Sequence, residues 1–515
     1  MARGDLPYSP MIRRSPCSRE PALKIGRAAT LLASGAAALA LGACSADIRK
    51  PDLTLPAAYE ADAGTQALSV AQLDRWWPIF GDVELNELEA EALAASPDVE
   101  TQIARLREAG ATEQSGIWQT YPTGDITGGA SREVTKPLGG APSSLIPIGG
   151  VTENFHADFK PTWEIDFLGA LREQRKAVKA DYAATRFDIE AARATLVADV
   201  ADSYFAARGL AIQLEDANEQ VRIETELLRS ATIKFQHGLG PRSDPDRIAG
   251  DLAQAKSQVD SLKAQQHAAQ RTLLILVGRG AEPVENLPLA PHVPDPPPLP
   301  VAVPGELLQR RPDVREADEK MRAAVIRTKL AKDQLFPNLT FVPAMGLARQ
   351  VAPGVGLVSL IPLILAPQQQ TTTTHYWSLG ANLDQPVLDI PRLLADAKAQ
   401  GARAEQAVIA YEKAVKNAYG DAENALVALA SDERRVKILE DGEARARRAY
   451  DDERIRYELG VDDITAVLSA EQTWRTDRNQ LTAQRVQALR SAVQTYKALG
   501  GGWDYKTTQT ASRSP

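Results

Sequence analysis

Asn154-Phe155-His156-Ala157-Asp158-Phe159-Lys160-Pro161-Thr162-Trp163-Glu164-Ile165 is the stretch on which the fold turns. Its odd positions are Phe, Ala, Phe, Pro, Trp and Ile; its even positions are Asn, His, Asp, Lys, Thr and Glu. Successive strand side chains point to opposite faces, so this segment has one apolar and one polar face. Trp377, Leu379, Ala381 and Leu383 against Tyr376, Ser378, Asn382 and Asp384 repeat the pattern, and Leu339, Phe341, Met345 and Leu347 supply a preceding strand. About 10–12 alternating residues suit a strand with lipid on one side and water on the other. A half-buried strand of a soluble sheet reads the same over a single segment. Two hairpins leave open edges, which lipid does not tolerate, so a barrel of such strands is built from several chains in a cyclic homo-oligomer.

Outward from this strand, the chain is written twice. Ser96-Pro97-Asp98-Val99 recurs as Arg311-Pro312-Asp313-Val314, and Tyr121-Pro122 as Phe336-Pro337, both 215 residues on. Asp199 matches Asp421, Gly238 matches Gly460, and Leu276-Val277-Gly278 matches Ala498-Leu499-Gly500, all 222 residues on. The extra residues fall between Pro337 and about residue 390. So long a period marks a duplication, not a solenoid. Each copy predicts a shorter helix, an extended segment with a loop, then two very long helices. Leu171 to about His237 contains no Pro, which at 1.5 Å per residue gives a helix of roughly 100 Å. Its apolar seam steps by seven through Val200, Ala207, Leu214, Val221, Leu228 and Phe235, and again through Ala422, Leu429, Val436, Glu443, Tyr450 and Tyr457. Such heptads predict coiled-coil packing.

Composition and charge narrow the function. Aromatics are 5% and Cys only two, which suits thin Ala-rich helices packed side by side better than one thick core. A net charge of −8 without a Lys/Arg run excludes a nucleic-acid surface. Mean hydropathy of −0.26 and the lack of an 18-residue apolar run exclude a helical membrane bundle but not a β-barrel. Residues 1–43 read as a signal peptide: basic residues from Arg3 to Arg27, an apolar run from Ala28 to Ala40, then Leu41-Gly42-Ala43 before Cys44. The last four resemble a bacterial lipobox, which implies a lipid on Cys44, and Ser45 after it favours the outer membrane of a Gram-negative bacterium. Removing six basic and two acidic residues with the signal takes the charge from −8 to −12. Expected domains are 1–43 signal peptide, 44–75 lipidated linker, 76–278 first repeat, 279–304 Pro-rich linker, 305–503 second repeat and 504–515 flexible tail.

The chain resembles the TolC-like outer-membrane efflux family, in its lipoprotein (NodT-like) branch. The resemblance spans nearly all of the mature chain. It is carried by Trp77-Pro78-Ile79-Phe80-Gly81-Asp82, Ser96-Pro97-Asp98, Arg105-Leu106-Arg107, Arg310-Arg311-Pro312-Asp313-Val314-Arg315, Leu335-Phe336-Pro337 and Ala498-Leu499-Gly500-Gly501-Gly502-Trp503, in this order. It implies an α+β fold: a trimeric 12-stranded outer-membrane β-barrel continuous with a long periplasmic α-helical, coiled-coil barrel. It implies the exit duct of a tripartite pump, working with a periplasmic adaptor and an inner-membrane transporter of RND type, and gated where the helix tips meet. Tyr457 and Gly460 stand where the family has an aperture tyrosine and turn glycine. Asp462 and Asp463 follow, either lining the aperture, where converging carboxylates favour cations, or capping the returning helix. Asp244 keeps a tip aspartate between Pro241 and Pro245. Ala466 and Ser469 occupy positions where TolC itself has an acidic pair.

No catalytic chemistry is expected. Five scattered His, and no Cys in the mature chain beyond Cys44, make no metal site. No phosphate loop, dinucleotide turn or nucleophile elbow is present. The reading is a passive channel with no cofactor, no nucleic acid and no enzyme activity. A type I protein-secretion duct of the same fold and a lipid-anchored periplasmic coiled-coil scaffold are the alternatives.

Overall fold

The computed structural model describes residues 48–503 except 57, 61–65, 68–69, 137–149, 299, 302–304, 306–309 and 355–367. The signal segment, Cys44 and the tail 504–515 lie outside the described residues. After strand β1 (Gln66–Ala67) come α1 (Val70–Asp74), a 3-10 turn (Trp77–Phe80) and α2 (Val83–Ala95). The first copy runs α3 (Pro97–Trp118), β2 (Thr123–Thr135), β3 (Gly150–Glu164), α4 (Ala170–Gln236) and α5 (Ser243–Leu276). After β4 (Pro300–Val301) the same order returns as α6 (Pro312–Asp333), β5 (Asn338–Gly354), β6 (Gln368–Asp384), α7 (Ile390–Glu458) and α8 (Ile464–Ala498). The second pair of strands is longer, 17 and 17 residues against 13 and 15.

Local chemistry sets the helix limits. Pro97 and Pro312 begin α3 and α6, where a fixed φ and a missing N–H do no harm. α4 and α7 run for 67 and 69 residues, about 100 Å each. Val200, Ala207, Ala422, Leu429, Val436 and Tyr450 of the seven-step seam are buried, but Phe235 emerges to 41% exposure. A strict step of seven drifts about 20° per turn-pair on a straight helix, so the seam leaves the contact face over five heptads. Among the described residues, no helix is long and apolar enough to cross a membrane.

The main core lies at the waist, where α2, α4, α7 and α8 meet. Trp76 is fully buried and stacks on Tyr496 at 5.6 Å. Asp82 caps α2 by accepting from the Glu84 and Leu85 amides, and also receives the Tyr204 hydroxyl at 3.0 Å and the Arg208 guanidinium. This fastens the 77–82 motif to α4. Arg310 pairs with Asp74, while Arg311 pairs with Asp313 and Asp421 and donates to the Ala498 carbonyl at 3.2 Å. These motifs therefore act as staples of the waist. Arg49 is paired to Glu412 and Tyr59 stacked on Tyr419 at 5.3 Å, which lays the N-terminal segment against α7 at both places. Pairing of β1 with β4, in parallel, ties the N-terminal segment to the Pro-rich linker.

Candidate functional site

β2, β3, β5 and β6 form one antiparallel sheet in that order, with β2 and β6 at its edges. Paired residues share a face, so the register makes rows across all four strands. Ile126, Phe159, Met345 and Trp377 form one row, exposed by 83%, 39%, 58% and 75%. Trp163 beside Phe341 and Leu339 beside Leu383 extend this apolar face. Among the described residues, no core covers it. The opposite row is Thr127, Asp158, Gly346 and Tyr376. There the Tyr376 hydroxyl donates to Asp158 Oδ1 at 2.7 Å and Lys160 Nζ donates to Oδ2 at 3.2 Å. Gly346 leaves room for this contact, because a Cβ there would strike Asp158 Oδ1 and lie 2.7 Å from Tyr376 Cε1. The sheet thus has one face suited to lipid and one to water.

At the far end of the helices, the α4–α5 and α7–α8 turns lie together around Ala231, Ile248, Tyr450, Ile464, Val467 and Leu468. Both long helices stop in the same way. Gly238 (φ +72°) and Gly460 (φ +75°) take the left-handed conformation, and the next residues, Leu239 and Val461, reach back to the Lys234 and Arg456 carbonyls at 2.8 and 2.9 Å. This double closure satisfies carbonyls that a helix end leaves open.

The four tip residues expected from the sequence have separate surroundings. Tyr457 lies under Lys234, whose Nζ is 3.7 Å from the ring centre, a cation–π contact that joins α7 to α4. Asp462 is paired with Arg456, which holds its carboxyl below the usual range. Asp463 is the N-cap of α8: its carboxylate accepts from the Thr465 and Ala466 amides at 2.6 and 3.3 Å, and the Thr465 side chain, together with these amides, holds it below the usual range too. Asp244 stands in the first turn of α5 beside Ser243, and α5 has no side-chain cap. Sequence reading alone passed over Lys234 and Arg456. They occupy the same place in the two copies, 222 residues apart, each four residues before its turn glycine. That register was the available signal, and a cation in the last turn also suits the helix dipole. Among the described residues, no group of three His, Cys, Asp or Glu side chains is placed to hold a metal ion.

A two-faced sheet with unpaired edges, running straight into antiparallel helices of this length, defines the class of outer-membrane channels with a helical extension. The chain belongs to the outer membrane efflux protein family, whose model matches residues 88–279 and 303–501, more than half of the sequence. This is the TolC-like efflux family that its motifs resemble. It is 28% identical over 475 residues to the pyoverdine export outer membrane protein OpmQ of Pseudomonas aeruginosa, covering 91% of this chain and 96% of that one. It is 25% identical over 498 residues to the toluene efflux pump outer membrane protein TtgF of Pseudomonas putida, covering 92% and 97%. The solved structure of the outer-membrane channel OprN matches with a TM-score of 0.72 at 25% identity, covering 88% of this chain and 99% of that one.

Proposed function

We propose that the protein is the exit duct of a tripartite efflux pump, conducting small molecules passively from periplasm to exterior. Three copies, each giving four strands, close a 12-stranded barrel in the outer membrane. The long helices form a periplasmic tube that closes at the tips bearing Tyr457, Asp462, Asp463 and Asp244. A lipid on Cys44 anchors each chain. A periplasmic adaptor and an RND-type inner-membrane transporter supply the energy and choose the substrate, so the duct itself has no catalytic group or cofactor. The observation that carries this reading is the sheet: among the described residues its apolar face has no core over it and its edges have no partner strand, which a lipid-anchored scaffold leaves unexplained. Relatives named for pyoverdine export and toluene efflux support small-molecule cargo over a secreted protein.

The test is planar-bilayer conductance of the detergent-purified full chain, with the oligomer's mass measured on the same preparation. Steady single-channel currents from a trimeric species are expected. A folded protein that stays monomeric and gives no current overturns the duct and promotes the scaffold.

A further inference from the structure

Where the sheet meets the helices, a crevice of about 650 Å³ opens between α4 and α6. Phe167, Leu168, Leu330 and Phe336 give it apolar walls, and Glu164, Asp166, Asp333 and Asp384 contribute carboxylates. Arg327 is the basic side chain of its lining, and Asp181 on α4 already holds that guanidinium. Nearby Lys329 is held by Glu173 at 3.1 Å. Asp166 spends its oxygens on the Leu171 and Arg172 amides at the start of α4. Asp333 is different: its Oδ2 is enclosed and has no hydrogen-bond partner. An enclosed carboxylate oxygen without a donor lacks the partner that burial ordinarily demands.

Two placements decide what reaches this crevice. Asp384 pairs with Asn338, and Glu164 with Thr340, in the register that carries Asp158 and Tyr376, so the crevice opens on the polar face of the sheet. In the helical layer α4 packs between α3 and α6, and α6 between α4 and α7. Its helical walls on α4 and α6 are thus inside the layer, while Asp384 of β6 brings its mouth to the edge of the sheet.

We infer that this crevice is a subsite for organic cations with an apolar ring body, entered from the water-filled side of the sheet; the inference rests on the channel reading above. The carboxylates attract the charge, the aromatic and Leu walls take the rings, and aromatic anions are repelled. A bare metal ion is the poorer fit, because among the described residues no three ligating side chains converge.

The test uses propidium, a membrane-impermeant aromatic dication, and follows its fluorescence anisotropy on titration with the full-length protein in detergent. Saturable, salt-sensitive binding is expected, and Asp333→Asn and Glu164→Gln, on separate walls, should each weaken it about fivefold, the scale of one exposed charge pair. The aromatic anion 8-anilinonaphthalene-1-sulfonate should not compete. No saturable binding, equal affinity in the double variant, or equal competition by the anion overturns the inference. Conductance of the same preparations separates the two readings. Channels that conduct without carboxylate-dependent propidium binding end the subsite alone, whereas a folded protein that binds propidium but stays monomeric and never conducts ends the duct.

Discussion

At the residue scale, the tip is an arrangement of neutralised charge. Asp462 and Arg456 form a pair, with Glu453 also 3.9 Å from the guanidinium, so Asp462→Ala removes one negative charge from this group and Arg456→Ala removes its positive one. If the pair lines the conduction path, the two variants move ion preference in opposite directions: toward anions for Asp462→Ala and toward cations for Arg456→Ala. Reversal potentials under a KCl gradient read the sign directly, and unmoved potentials in both variants would place the pair outside the path. The pH dependence follows the same chemistry. The Asp462 carboxyl is held below its ordinary value, so the pairing is complete above the unfolded carboxylate range and is lost only as pH falls through the lowered folded value. Wild-type selectivity should therefore stay constant from neutral pH down to the ordinary Asp value near 3.9, and change only below that.

At the scale of elements, α2 and the tip turns give stability predictions of opposite sign. Glu89 on α2 is fully buried, neither carboxylate oxygen has a partner, and burial pushes its carboxyl well above the usual range. In the unfolded chain an ordinary Glu ionises near 4.3. The folded chain therefore binds the extra proton, and Glu89 makes the protein less stable as pH rises from that value through the raised one. Glu89→Leu should stabilise by about 1–3 kcal/mol even where the carboxyl is neutral, and by more at pH 8. Thermal denaturation in detergent at pH 5 and 8 checks this; an equal gain at both would show that Glu89 is ionised in the fold. Gly460→Ala should act the other way. Open space surrounds it, so the whole cost, roughly 1–2 kcal/mol, comes from the left-handed backbone. Faster amide exchange at Leu459 to Val461 and an unchanged waist are expected.

Elements also show what the sequence could convey. The long helices were legible because Pro is absent from 171–237 and a glycine ends each one. β3 from Asn154 and the second half of β6, residues 376–384, were legible from alternation, whereas the polar run 368–375 that begins β6 was not. β2 hid its strand: Thr123–Thr135 carries only Ile126 and Val134 as large apolar residues. Its glycines make room for the neighbouring strand, since a Cβ on Gly124 would lie 2.9 Å from the Pro161 backbone and one on Gly129 would strike the His156 ring. The Lys234–Tyr457 contact at the tip was hidden for another reason. Lys234 meets Tyr457 across more than two hundred residues, and no local period encodes such a contact.

At the scale of the whole molecule, alternation along a strand sets which face meets which solvent, but it does not count the copies that close a barrel. The face assignment can be tested at two adjacent residues. Trp377 lies on the apolar face in the row with Met345, and Ser378 lies on the polar face opposite Ala344. An arginine facing lipid costs about 2–4 kcal/mol near the bilayer midplane and far less in a water-filled lumen. Trp377→Arg should therefore cut the protein that resists urea extraction from outer membranes and reduce its heat-resistant oligomer. Ser378→Arg, one residue on, should leave both near wild type. A soluble half-buried sheet would give the same order of tolerance, because its apolar face would be the packed one, so the lipid contact is read from the urea-resistant membrane fraction and not from the order alone. Equal tolerance of the two arginines would mean that neither face meets lipid. The comparison rests on side-chain parity alone, with chain position, charge and strand held almost constant.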